Sequence, residues 1–207
     1  MLFADTFDGK TFLTSALIYT EAVISLAVVV SLINCSDYAS GTIKNIFSKG
    51  YSRMQVLFSK ITVSAFVTAI FTIVSWIFGF IIGSVFWQDI GTDWNIIILY
   101  NLIVQFLLML AYCAMFCFLA SVIKKTAGTI VLSIVIPITS EILFMIINVL
   151  VNNKDFNIND YWIQGNITNI TNVYATNSEI FHGLIIAIVY IAIFTLLNVW
   201  VSRKREV

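Results

Sequence analysis

Five apolar runs, each long enough to cross a bilayer, constrain what this 207-residue chain can fold into. They cover residues 12–33, 61–87, 94–123, 127–151 and 180–201. At ~1.5 Å per residue, runs of this size reach about 33–45 Å, against ~30 Å of hydrocarbon. Backbone in lipid must satisfy its own hydrogen bonds, so each run is expected to be a helix. Only 11% of the residues are charged, less than half the share in a soluble domain. The ten-residue alternation of a membrane barrel is absent. The expected fold class is therefore all-α integral membrane, a polytopic helical bundle. Residues 1–207 are read as a single transmembrane domain of five transmembrane helices, with one amphipathic helix between the first two.

That amphipathic segment, residues 36–60, is too polar for lipid and too patterned for a loop. Ile43, Ile46, Phe47, Tyr51, Met54 and Leu57/Phe58 fall at helical spacing. Lys44, Asn45, Ser48, Lys49, Ser52 and Arg53 occupy the opposite side. Such a helix either lies flat on a membrane or docks its stripe into a groove on a partner. Charge placement sets the orientation. Lys44, Lys49, Arg53, Lys60, Lys124, Lys125, Arg203, Lys204 and Arg205 fall on one side of a five-span path, leaving only Lys10 and Lys154 opposite. The positive-inside rule puts residues 36–60 and the C-terminus in the cytoplasm, with the N-terminus and the 152–179 loop outside. Trp87, Trp94, Trp162 and Trp200 are expected at span ends as interfacial anchors. The abundance of Ile, Asn, Lys and Phe fits an AT-rich coding sequence, so the cell membrane is expected to be a bacterial plasma membrane.

Few residues carry chemistry. Glu21 and Glu141 lie inside spans, where a charged carboxylate costs at least ~2.5–3.5 kcal/mol. They either line a translocation path or serve helix packing as protonated or hydrogen-bonded groups. His182 lies within reach of Glu141 if spans four and five are neighbours. Pro137 removes a backbone hydrogen bond four residues before Glu141, which suggests a hinge or gate. The freed carbonyl is expected to be answered by Thr139, Ser140 or a neighbouring helix. Cys113 and Cys117 share a helix face but lack further ligands for zinc, so packing is the better reading. Ser75, Gly79 and Gly83 form a small-residue ladder for a close helix contact, internal or between copies. The sequons at Asn166 and Asn169 are put down to chance in an Asn-rich chain. There is no phosphate-binding loop of the GxxxxGK[ST] kind, so energy for transport must come from another subunit.

Asp37, Gly41-Thr42-Ile43-Lys44, Lys49-Gly50, Ser52-Arg53 and Lys60 together resemble the region after the second transmembrane helix of ABC-2 type exporter permeases. The bacitracin and lantibiotic export or immunity branch is the most similar. The resemblance is specific over residues 37–60; the remaining spans agree in number and spacing. It implies a six-span fold with both ends inside, so the five runs correspond to spans two to six and the first span is missing. It also implies a second permease copy or homologue and a separate ATP-binding cassette subunit. The coupling helix, here residues 40–53, would seat in a groove of that subunit. Lys44, Lys49 and Arg53 are expected to steer docking, while Ile43, Ile46, Phe47 and Tyr51 supply contact area. Glu21, Pro137 and Glu141 are the candidates for the path or gate. The chain is expected to be no enzyme, to need no cofactor or metal, and to bind lipid but no nucleic acid. The cargo implied is a peptide antibiotic or another amphiphile. The alternative is an accessory membrane sensor or immunity protein acting without an ATPase. An intramembrane enzyme using Glu21, Glu141 and His182 is a third reading.

Overall fold

A computed structural model describes residues 8–18, 20–91, 94–151, 157–171 and 175–204. Lys154 and Arg205, used above for topology, lie outside the described residues. Among the described residues there are eight α-helices and no strand. They are α1 (Gly9–Ser15), α2 (Thr20–Ala39), α3 (Ile43–Ser48), α4 (Arg53–Trp87), α5 (Ile96–Ile123), α6 (Thr126–Val151), α7 (Ile163–Thr171) and α8 (Asn177–Lys204). A 3-10 turn, Ile158–Tyr161, precedes α7. Five of the helices, α2, α4, α5, α6 and α8, are long and apolar enough to cross a membrane.

The core forms around α5, the most buried of the five. Val104, Leu108, Met109, Tyr112 and Phe116 have almost no exposed surface, and Tyr112 stacks on Phe116 at 5.7 Å. Helices α8, α2, α4 and α6 pack around it. Cys113 and Cys117 are buried in this core, in agreement with a packing role. On the far sides of α4 and α6 the apolar residues are bare. Phe66, Phe78 and Phe86 on α4, and Met145, Val149 and Leu150 on α6, are exposed as lipid-facing residues are. In water such a surface would aggregate; in hydrocarbon it has no reason to hide.

The first apolar run is not one helix. It breaks at residues 16–18 into α1 and α2. Asp8 caps α1, its carboxylate accepting from the Thr11 amide at 2.7 Å. Helix α1 then lies against the small-residue ladder of α4. A methyl group at Gly79 would sit 2.7 Å from the Phe12 carbonyl, and one at Gly83 would sit 2.6 Å from the Phe12 Cβ. The ladder therefore serves an internal contact, and only glycine allows the backbones that close.

Breaking a helix at this depth leaves carbonyls without partners. Two buried glutamines supply them. Gln105 of α5 donates from Nε2 to the Thr14 carbonyl at 2.8 Å, and Gln164 of α7 donates to the Ile18 carbonyl at 2.9 Å. Each glutamine oxygen is in turn fixed by a donor from a ring side chain: Trp76 Nε1 at 3.2 Å for Gln105, and Tyr112 OH at 3.2 Å for Gln164.

Helix α7 comes from the segment expected to be an external loop. Its Ile163, Ile167 and Ile170 are fully buried against α5 and α8. Asn166 is 1% exposed and bonds the carbonyls of Asp160 and Trp162, so the first sequon is structural rather than a glycan site. Trp162 is half-buried between Phe144 and Tyr190 instead of sitting at a span end. Trp87, Trp94 and Trp200 are exposed, and the Lys204 ammonium lies 4.2 Å over the Trp200 ring.

Candidate functional sites at the two ends of the bundle

Residues 36–60 do not form one amphipathic helix. Helix α2 continues to Ala39, Gly41 and Gly50 take positive φ of 71° and 87°, and between them only Ile43–Ser48 is helical. Glycine is at home in that backbone region, which is why the regular spacing of apolar residues is interrupted there. Ser52 then opens α4 with a capping box, its hydroxyl accepting from Gln55 N and its amide donating to Gln55 Oε1. Met54, Leu57 and Phe58 thus belong to the first turns of α4, eight residues earlier than the apolar run suggested.

Within α3 the stripe is turned toward the bundle. Ile43, Ile46 and Phe47 are half-buried, whereas Lys44, Asn45, Ser48 and Lys49 are exposed. Tyr51 and Arg53, after the helix, are exposed too. The predicted coupling residues thus lie on α3 and the turn that follows it, with Arg53 opening α4, and they divide between a half-buried and an exposed side.

A polar lock holds this element in place. Lys60 of α4 pairs with Asp37 of α2 at 3.1 Å and donates to the Asn34 carbonyl at 2.6 Å. Its ammonium also lies 4.7 Å over the Tyr38 ring, which Lys124 approaches from another side at 5.6 Å. Asn34 is 5% exposed and donates to Ser64 Oγ at 2.8 Å. Asp37 accepts from the Thr42 hydroxyl at 3.4 Å, tying the start of α3 to the same group. The Asp37–Lys60 pair is one-third exposed on the acid side, so screening leaves it modest as a stabiliser. Its larger effect is to fix the register of α2 against α4. Sequence reasoning quoted Asp37 and Lys60 as pattern positions and counted Lys60 and Lys124 for topology, but did not bring the three together and missed Asn34 and Tyr38. Their signal was polar residues at the last turn of one span and the ends of the next two.

At the opposite end, the break between α1 and α2 opens on a cavity of about 400 Å³. Glu21, Glu141, Asn157, Asn159, Gln164 and Thr168 are among its lining. Glu21 stands in the first turn of α2, where a carboxylate is favoured by the helix N-terminus. Glu141 Oε1 accepts from Thr20 Oγ1 at 3.2 Å, joining α6 to α2. The two carboxylates picked out from sequence therefore line one cavity. His182 does not join them; its Nδ1 meets Asn166 Oδ1 at 3.3 Å, and its ring stands edge-on to Tyr161. Pro137 is buried inside a continuous α6. Thr139 and Ser140 donate to the carbonyls of Val135, Ile136 and Pro137, not to that of Ser133, the carbonyl a proline here deprives. Among the described residues no group of three or more His, Cys, Asp or Glu is placed to hold a metal.

A family model described as "ABC-2 family transporter protein" matches residues 3–140, two-thirds of the chain. The chain belongs to the ABC-2 transporter family. Comparison with curated proteins and with solved structures gave no match. As an ABC-2 transporter it is the permease component of an ABC transporter, a multi-pass membrane part of the machine and not its catalyst. Such permeases generally work with an ATP-binding subunit. The matched region holds α3, the Asp37–Lys60 lock, Glu21 and Pro137 of this permease. It stops one residue before Glu141 and leaves out α7 and α8.

Proposed function

We propose that this permease is the membrane half of an ABC exporter of the bacitracin and lantibiotic export or immunity type. It forms the translocation path as a pair with a second copy or homologue, and an ATP-binding cassette subunit drives it through α3. The observation that carries this reading is the placement of α3. It stands off the bundle between α2 and α4, offers Lys44, Lys49 and the following Tyr51 and Arg53 on its exposed side, and is tied to both spans through Asp37 and Lys60. A push on such an element is passed to two spans at once. The cytoplasm is the side of this basic end, in a bacterial plasma membrane, by the distribution of Lys and Arg. The cargo is a peptide antibiotic or another amphiphile, by family analogy.

Affinity purification of the full chain from its native membranes in mild detergent is expected to recover a P-loop ATPase at near-stoichiometric amount. Recovery with no ATPase would favour an accessory sensor or immunity protein instead. Glu21 and Glu141 line the path and Pro137 serves its gate. Glu141→Gln is expected to leave assembly with the ATPase intact while lowering transport severalfold or changing cargo range. Unaltered transport across a panel of cationic and neutral amphiphiles would remove Glu141 from the path.

A further inference from the structure

The basic end holds a second cavity, of about 200 Å³, between the end of α2, α3, α4, α5 and the end of α8. That is about seven waters' worth of liquid at ~30 Å³ each. Its wall is mainly apolar: Ile43, Phe47, Val56, Leu57, Ala120 and Val201 contribute. Its polar lining is entirely one-signed where charged. Lys44, Arg53, Lys60 and Lys124 all line it, and no carboxylate does. Lys60 has its carboxylate, Asp37, outside the cavity, and for Lys124 the contact is the Tyr38 ring. Among the described residues Lys44 and Lys124 have no acidic partner.

Lys44 and Lys124, brought to one greasy floor beside Lys60 and Arg53, cost energy through repulsion unless an anion joins them. Inorganic anions would satisfy the cations but leave the apolar wall without an occupant. A nucleic acid or an acidic peptide would have the same shortcoming. A ligand with an anionic head and a hydrocarbon chain satisfies both. The wall continues along apolar helix surface, since Val56 lies on the same side of α4 as the exposed Val63 and Ile70. Basic pockets between membrane helices take lipid headgroups in this way.

We propose that this cavity is a binding site for an anionic phospholipid, the phosphate held between Lys44 and Lys124 and the first methylenes of an acyl chain lying on Phe47, Leu57 and Val201. Because α3 forms one wall, the lipid is a structural member of the element that the ATP-binding subunit is proposed to push. The lipid site itself does not depend on that reading, since it is measured without an ATPase.

The test is native mass spectrometry and detergent-phase lipid titration of the purified full chain. Phosphatidylglycerol, phosphatidylcholine and inorganic phosphate serve as separate probes. Phosphatidylglycerol is expected to bind at least tenfold more tightly than phosphatidylcholine, with Lys44→Gln weakening it severalfold and Lys44→Gln/Lys124→Gln by tenfold or more. Lys49→Gln removes a lysine from the exposed side of the same helix and outside the cavity, and is expected to leave binding unchanged. Equal binding of the two lipids overturns the proposal. So does an equal loss in the Lys49 variant, which would mean general surface attraction. Inorganic phosphate displacing the lipid at matching concentration would overturn the lipid as the source of the anion. Lys44→Gln lies on an exposed side chain, so a folded variant remains even if the double variant proves unstable.

Discussion

Ile46→Asp/Phe47→Asp is expected to abolish co-purification of the ATP-binding subunit. Both side chains are half-buried, Phe47 against the basic cavity and Ile46 beside Asp37 and Tyr51. An aspartate at 47 would be drawn toward Lys60 and Lys124, and one at 46 would be pushed from Asp37, so α3 would lose its seat. The structure thus adds a second route to the same loss: the docking element moves, whether or not these two side chains touch the partner. Lys49→Glu/Tyr51→Asp separates the routes, since both residues are exposed and neither supports α3 from beneath. That variant is expected to keep the thermal midpoint within about a degree and to cut ATPase recovery tenfold or more. Full recovery of the ATPase by both variants would refute docking through α3.

Gln164→Leu is expected to be the most destabilising conservative change in the opposite half of the molecule. The leucine fills nearly the same space but leaves two groups stranded, the Ile18 carbonyl and the Tyr112 hydroxyl, the latter on a side chain with no exposed surface. Each buried group left unmet costs about 1–3 kcal/mol, although hydrogen bonds between membrane helices average nearer ~0.6. A total of about 1–3 kcal/mol follows, mostly from the Tyr112 hydroxyl, because Ile18 lines the cavity and its carbonyl can turn to water. The measurements are the detergent thermal midpoint and hydrogen exchange over residues 16–22. A lowered midpoint with faster exchange is the expected result, and wild-type values for both would show that α7 does not hold the break. Gln105→Leu should act in the same direction through the Thr14 carbonyl and Trp76.

The five crossings were legible in the sequence because lipid enforces one solution on any long apolar run. Helix ends were less so. Apolar content marks where a helix is in hydrocarbon, not where it stops, and α4 begins at Arg53 because of the Ser52–Gln55 capping box rather than any change in hydropathy. The break between α1 and α2 was invisible for a different reason. Residues 16–18, Ala-Leu-Ile, contain no proline or glycine, and what permits the break is a pair of glutamines 91 and 146 positions along the chain. No local pattern carries that information. A glutamine in the middle of an otherwise apolar run, as at Gln105, was the available clue. Glu21 and Glu141 were found by the cost of their charge, and the structure places them on one cavity. His182 meets Asn166 because α7 packs along α8, and α7 was the one helix whose composition looked like loop.

Helix α4 runs from Arg53 to Trp87 without interruption, and between Arg53 and Phe78 it holds neither glycine nor proline. With no joint along that length it behaves as a lever arm. At ~1.5 Å per residue it is about 52 Å long, so a pivot of about 5° at one end sweeps the other through about 4–5 Å. The near end carries Lys60 and the seat of α3. The far end carries Gly79 and Gly83, on which α1 rests with almost no clearance. Any tilt imposed beside α3 must therefore reappear as a shift of α1, at the mouth of the cavity that Glu21 and Glu141 share.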